Sequence, residues 1–260
     1  MKGIYNIGNS CYMNSGIQLL FGSHSFRILC KNNKFGKIIN DYDNSNIFNP
    51  KEIKTVLSQY TKIFNNRDQQ DSYEFIIYML DAVDKMNSSQ AYNLYNLFGL
   101  HTTINIKCKM MNCLKESEHI EKDLFLHLPM TSDLSESYRK YKLIERLQND
   151  TAYTCDNCMR KTIARKKITI AKWPDNLIIV LKRFDNMMNK NNMDIHIPLE
   201  WRHGYKLKGG IIHLGSYGGG HYIYYGIENN KWYLANDTNI SNISDINDTA
   251  SKSYILYYTK

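Results

Sequence analysis

Cys11 follows Gly8-Asn9-Ser10 and opens a stretch in which Met13, Ile17, Leu20 and Phe21 recur at helical spacing. A thiol in the first turn of a helix faces backbone N–H groups that lack intrahelical partners, and the helix macrodipole there favours the thiolate. Cys11 is therefore a candidate nucleophile, weighed against the plainer reading of a buried filler thiol. A nucleophilic thiol needs an imidazole within hydrogen-bond reach, and that imidazole needs an amide or carboxylate on its other nitrogen. Among eight histidines, His221 fits this need. It follows Ser-Tyr-Gly-Gly-Gly, a run flexible enough to let a loop move over a site, and it begins the aromatic strand HYIYYG. Asn236 and Asp237 follow a Trp-Tyr pair further on, and adjacent hairpin strands would carry either of them to the imidazole.

The six cysteines divide into two close pairs, Cys108-x4-Cys113 and Cys155-x2-Cys158, and two single thiols, Cys11 and Cys30. Two close pairs far apart in a chain of this size form a metal-site pattern rather than a disulfide framework. Four thiolates make a soft tetrahedral set suited to Zn²⁺, and with every position filled by protein such a site is structural. In QQDSYEF, Asp71 and Glu74 stand three apart on one face near the start of a helix. The helix dipole alone would favour acids there.

These residues need elements to hold them. The first third of the chain reads helical, with one helix from Cys11 that ends at Gly22 as a left-handed cap. A second helix is expected from Asn49-Pro50-Lys51-Glu52, with Asn49 as cap and Pro50 as first helical residue. Its buried line is Ile53, Leu57, Tyr60 and Phe64. A third helix is expected from about Asp68 to Lys85, and helical spacing returns over 133–150. Asn-rich stretches such as 40–49, 186–193 and 236–248 read as polar loops. From residue 101 the period shifts to two, with strands at 102–107, 123–128, 176–184, 209–216, 220–227, 231–235 and 253–258. LIIVL at 177–181 is apolar on both faces, the mark of a central strand.

Nothing divides the 260 residues by a clear linker, so one domain is expected: a helical part over about 1–100, a metal-stapled region over about 101–170 and a β part over about 171–260. The longest apolar run is far too short to span a membrane. With no signal-peptide pattern at the start, the cytoplasm or nucleus is the expected setting. The net charge of +8 comes from scattered lysines with denser patches at 160–167 and 206–208, which favours a solvated surface over a nucleic-acid footprint.

GIYNIGNSCYMNS, QQDSYEFIIYMLD, YTCDNC with PDNLIIVLKRF, and GGHYIYYGIENNKWYLAND occur in that order, and together they resemble the ubiquitin-specific protease family. The resemblance covers nearly the whole chain. It implies an α+β, papain-like cysteine protease with helical thumb, β palm and zinc-ribbon fingers, acting as an isopeptidase on ubiquitin, ubiquitin-conjugated proteins or polyubiquitin. It further implies Cys11 as nucleophile, His221 as general base, Asn236 or its neighbour Asp237 as the group that orients His221, and Asn6 as an oxyanion donor. Gln70, Asp71, Glu74 and Tyr222 would bind the basic ubiquitin tail, with Tyr222 walling a channel that admits only its two glycines. Cys108, Cys113, Cys155 and Cys158 would hold one structural Zn²⁺.

Three other readings compete: a protease for another ubiquitin-like modifier, a ubiquitin-binding adaptor without activity, and a zinc-ribbon nucleic-acid binder. Cys11, His221 and Asn236 together disfavour the adaptor, and the absence of a recognition helix or stacking motif disfavours the nucleic-acid binder. A glycan on the Asn236-Asp-Thr acceptor would block the site, which again favours an intracellular setting.

Overall fold

The computed structural model describes residues 1–66, 68–87, 94–113, 115–216 and 218–260. The N-terminal part holds β1 (Gly3–Ile4), α1 (Cys11–Gly22), α2 (His24–Cys30), α3 (Lys34–Asn44), β2 (Ile47–Phe48), α4 (Lys51–Leu57), α5 (Ser72–Met86) and α6 (Leu94–Phe98). It is followed by β3 (Leu100–Cys108), β4 (Glu116–Asp123), β5 (Phe125–Pro129), α7 (Leu134–Tyr141), β6 (Glu145–Leu147), β7 (Tyr153–Cys155), β8 (Arg160–Thr162) and β9 (Ala164–Lys172). The last part holds β10 (Asn176–Lys182), β11 (Glu200–Trp201), β12 (Tyr205–Ser216), β13 (Gly219–Glu228), β14 (Lys231–Asn236), β15 (Asn239–Asn242), α8 (Ile246–Ser251) and β16 (Ser253–Thr259).

The main sheet runs β15-β14-β13-β12-β16-β10-β5, with β11 added to β12. Only the β10–β5 pair is parallel within it. β10 is an interior strand next to the β5 edge rather than the centre of the sheet; it is covered on both faces, as its doubly apolar sequence requires, and its alternate residues serve two cores. Ile178 and Val180 face the helical side, in one cluster with residues of α1 and α5. Leu177, Ile179 and Leu181 face the opposite side, with Leu134 and Tyr138 of α7. A second sheet, β4-β3-β9-β6, and the small β7–β8 hairpin form a separate projection. The stretch 101–170, expected to form one stapled region, is thus shared. Phe125, Leu126 and Leu128 give β5 buried side chains that join the main sheet, whereas β4 is almost wholly exposed.

α1 is buried along eleven of its twelve residues, the signature of a helix that threads a core. At Gly16 an added Cβ would lie 2.4 Å from the Phe75 ring, so the close approach of α1 to α5 depends on that glycine. Of the buried polar residues of α1, Gln18 is paired at both ends of its amide, accepting from the Tyr42 hydroxyl at 2.8 Å and donating to the Lys2 carbonyl.

Several boundaries differ from expectation. Gly22 ends α1 without a left-handed turn, because Ser23 follows in extended conformation and caps α2. α3 covers part of the 40–49 stretch read as loop; its Phe35, Ile38, Ile39 and Tyr42 form a helical apolar face that the surrounding asparagines obscure. Asn49 does accept from the Lys51 N–H at 3.1 Å, but α4 ends at Leu57 and Phe64 reaches the core from a separate single turn. α5 begins at Ser72 because the Asp71 carboxylate accepts from the first-turn amides and caps the helix. Over 133–150 only Leu134–Tyr141 is α-helical, and a single 3-10 turn begins at Asn149.

Candidate active site and cysteine cluster

α1 packs against β13, and Cys11 is its first residue, 3% exposed. Ser10 precedes the helix without capping it. Its hydroxyl instead accepts from the Ile7 N–H at 2.9 Å and meets Asn6 Oδ1 at 3.3 Å. The first-turn amides of α1 are therefore left without a side-chain cap, which is the arrangement an anion-stabilising helix start requires.

Asn6 is held on both ends of its amide. Oδ1 accepts from the N–H groups of Gly8 at 3.1 Å and Ser10 at 3.2 Å, and Nδ2 donates to Asp237 Oδ2 at 2.9 Å. The other oxygen of Asp237 accepts from Asn14 Nδ2 at 2.7 Å, and its backbone carbonyl accepts from the Ile4 N–H at 2.8 Å. Asp237 sits at φ +50° in the turn between β14 and β15, a conformation that Asp tolerates better than most side chains. Asp237 thus ties the segment before Cys11 to the end of β14.

Asn236, by contrast, turns to the imidazole: its Oδ1 lies 2.7 Å from His221 Nε2. The two candidates for one role therefore have different partners, Asn236 the imidazole and Asp237 the two asparagines. His221 sits near the start of β13, where the strand has passed the end of β14, whose pairing begins at Tyr224 and Ala235. Of the flexible run expected before His221, Tyr217 lies outside the described residues.

A cavity of about 610 Å³ is lined by Gln69, Gln70, Asp71, Tyr73, Glu74, Ile77, Phe184, His213, Tyr222 and Tyr254. Gln70, Asp71, Glu74 and Tyr222, singled out from the sequence, are brought together here. The Asp71 carboxylate is saturated: Oδ1 accepts from the Tyr73 N–H at 2.6 Å, the Glu74 N–H at 3.3 Å and the Tyr254 hydroxyl at 3.2 Å, and Oδ2 accepts from the Tyr222 hydroxyl at 2.9 Å. Burial raises its pKa, and these four donors oppose the rise. Glu74 is exposed, with its pKa raised by partial burial and by the nearby Asp71 charge. A cavity of about 650 Å³ behind α1, lined by Gln18, Arg27, Tyr42 and Lys208 among others, contains none of the candidate residues.

Gln69, Phe184 and His213 were missed from the sequence. His213 pairs with Tyr222 across β12 and β13, with ring centroids 4.6 Å apart. Burial, and then the Lys190 ammonium, push its pKa down to about 4. The unfolded chain, with an ordinary imidazole, takes up the proton first as pH falls. Stability should therefore decline from about pH 6.5 toward pH 4, by roughly 3 kcal/mol at most from this residue. Urea unfolding of the unsubstituted chain and of His213→Asn at pH 7 and pH 5 should show a smaller acid loss in the variant; equal losses would contradict it.

The four cysteines of the two pairs converge at the tip of the projection. Their sulfurs all lie within 4.8 Å of one another, with Cys113–Cys155 at 3.8 Å and Cys108–Cys158 at 4.0 Å. Those separations are far beyond a disulfide bond, about 2.05 Å, and near the ~3.8 Å edge of a tetrahedron with metal–sulfur bonds of about 2.3 Å. The Lys115 N–H and the Asn157 amide draw the Cys113 thiol down to about 6, while a hydrogen bond shared with Cys113, and then burial, push Cys158 up to about 12. Four thiolates at this spacing repel one another until a cation neutralises them, so the donor set fits a metal ion.

The α+β fold thus joins a helical lobe to a main sheet and to a projection tipped by four cysteines. The ubiquitin carboxyl-terminal hydrolase family matches residues 2–258, and the chain belongs to that family. It is 25% identical over 358 residues to ubiquitin carboxyl-terminal hydrolase 4 of Vanderwaltozyma polyspora, covering 98% of this chain and 40% of that protein. Across the first three curated relatives the chain spans 40% to 47% of their length. Its fold is shared with the SAGA DUB module of Ubp8, Sgf11, Sus1 and Sgf73 bound to monoubiquitin, at a TM-score of 0.83 and 23% identity, covering all of this chain and 69% of that one. The same module bound to ubiquitin aldehyde gives 0.81 and 22%, with the same coverage. Among the described residues, no helix is long and apolar enough to cross a membrane.

Proposed function

We propose that this chain is the catalytic domain of a deubiquitinating cysteine isopeptidase and thioesterase, cleaving after the C-terminal Gly-Gly of ubiquitin within a cell. The observation that carries the reading is the meeting of α1 with β13, which sets the Cys11 thiol and the His221–Asn236 pair on neighbouring elements. His221 takes the Cys11 proton, and the sulfur attacks the terminal glycine carbonyl. The resulting oxyanion is held by the Cys11 N–H and the second hydrogen of Asn6 Nδ2. Collapse expels the amine, which leaves with the proton from His221, and forms a thioester; water, deprotonated by His221, then releases the glycine carboxylate.

Glu74 is the open carboxylate for a basic residue of the ubiquitin tail, and Asp71 acts from beneath it by holding Tyr222 in place. Tyr222, Phe184 and His213 leave room beside the scissile bond for backbone without side chains. Cys108, Cys113, Cys155 and Cys158 hold one Zn²⁺, which fastens the turns of two hairpins and takes no part in the reaction. Hydrolysis of a fluorogenic amide on the ubiquitin C-terminus tests the reading; no release above the uncatalysed rate contradicts it.

The division between Asn236 and Asp237 has its own test. Asn236→Ala should lower kcat roughly 10–100-fold, the scale of one hydrogen bond to a group that becomes charged, with the thermal midpoint nearly unchanged. Asp237→Ala should lower both kcat, by releasing Asn6, and the midpoint, by removing the shortest hydrogen bond of the buried Asn14 amide, which keeps only the longer ones to the Ile4 and Tyr5 carbonyls, at a cost of about 1 kcal/mol. Identical profiles for the two variants would contradict the division.

A further inference from the structure

Gln69 lies just before α5, and its amide makes three contacts. Oε1 accepts from the Gly220 N–H at 2.9 Å, Nε2 donates to the Gly220 carbonyl, and Nε2 also lies 3.7 Å from Cys11 Sγ. An amide nitrogen has two hydrogens, one for the carbonyl and one for the sulfur. Gly220 belongs to the part of β13 where β14 has ended, so its backbone groups on that side have no strand partner. The Gln69 amide supplies one, imitating the peptide of a neighbouring strand.

The other side of Gly220 is occupied too. A Cβ there would lie 2.3 Å from His213 Nε2 and 2.2 Å from the Leu214 carbonyl, so only glycine fits. The residue immediately before His221 is thus gripped between the Gln69 amide and the His213 ring. The same amide reaches from that grip to the sulfur.

We propose that Gln69 is a positioning residue of the thiol site: it fixes the start of β13, and hence His221, relative to Cys11, and it donates an N–H to the sulfur as negative charge develops there. The proposal rests on the reading of Cys11 as nucleophile. A donor to an ionised acceptor forms a stronger bond than one to a neutral thiol, so the contact gains strength when the proton leaves. A glutamate at this position keeps the shape but, when ionised, has no hydrogen to give. It would set an oxygen against both the Gly220 carbonyl and the sulfur. An asparagine is one methylene short and cannot keep both the Gly220 grip and the reach to sulfur.

The test compares Gln69→Ala, Gln69→Glu and Gln69→Asn in the 260-residue chain. One readout is the rate of iodoacetamide alkylation at pH 7, assigned to Cys11 by peptide mass; the others are kcat and KM on the fluorogenic ubiquitin amide, and the thermal midpoint. The expected result is slower Cys11 alkylation and a kcat lowered roughly 10–100-fold in all three variants, largest in Gln69→Glu, with KM little changed. Alkylation and kcat within about twofold of the unsubstituted chain would overturn the proposal, as would a rise in KM alone. Should Gln69→Glu fail to fold, the Ala and Asn variants decide the same question. A chain that is slow on ubiquitin but shows the alkylation difference would contradict the substrate reading and leave the role of Gln69 standing.

Discussion

Cys11→Ala should abolish turnover of the ubiquitin amide, a fall of roughly 10⁵–10⁶-fold, while ubiquitin binding persists. The size follows from the role: without the sulfur no thioester forms, and neither His221 nor Asn6 offers a substitute nucleophile. Binding persists because the cavity wall is built from other residues, Glu74, Phe184, His213 and Tyr222, none of which depends on the thiol for its place. The fold should also persist. Alanine is a strong helix former, and the α1 neighbours that fill the core, Met13, Ile17, Leu20 and Phe21, are untouched. Comparing steady-state turnover with ubiquitin affinity by calorimetry separates the two effects. A variant that retains the unsubstituted rate would remove Cys11 from the mechanism.

Loss of the metal is the second large effect. The chain should purify with one zinc, and Cys155→Ser or strong chelation should unfold the tip of the projection. Cys155 is fully buried, and among the described residues the cluster around it contains only the other cysteines, Met110 and Tyr153. So few apolar side chains cannot hold the β7–β8 hairpin, whose strands are three residues each. Structural zinc sites contribute about 10–16 kcal/mol of apparent binding free energy, far more than the apolar contacts at this tip. Expected results are an early unfolding step for the tip and weaker ubiquitin binding, with Cys11 alkylation unchanged because the thiol site lies in a different part of the fold. Elemental analysis that finds no zinc in freshly purified chain would discard the assignment.

The parts of the site that were readable from sequence share one property: each announces itself within a few residues. Cys11 lies behind a turn and ahead of an apolar period, the cysteine pairs carry their own spacing, and β10 declares by being apolar on both faces that it is covered on both, though not that it lies next to the sheet edge. Gln69 carries no such signal, because its importance comes from an unsatisfied strand edge at Gly220, 151 positions away. His213 read as one of several strand histidines; its burial arises only when β12 and β13 pair and Phe184 covers it. The choice between Asn236 and Asp237 was likewise beyond local reading. Neighbouring residues at a turn point in different directions, and the left-handed backbone at Asp237 decides which of them meets the imidazole. Asp71 illustrates the converse. Its position near a helix start was legible, but not that Tyr222 and Tyr254 complete its hydrogen bonds from strands far along the chain.

Incubation of the chain with ubiquitin bearing a C-terminal electrophile, beside other diglycine-tailed modifiers with the same group, tests the central claim most directly. The account predicts a single adduct with ubiquitin, heavier than the chain by one ubiquitin and mapped to the peptide containing Cys11. No adduct, an adduct on Cys30 or a cluster cysteine, or reaction with a different modifier in place of ubiquitin would contradict it.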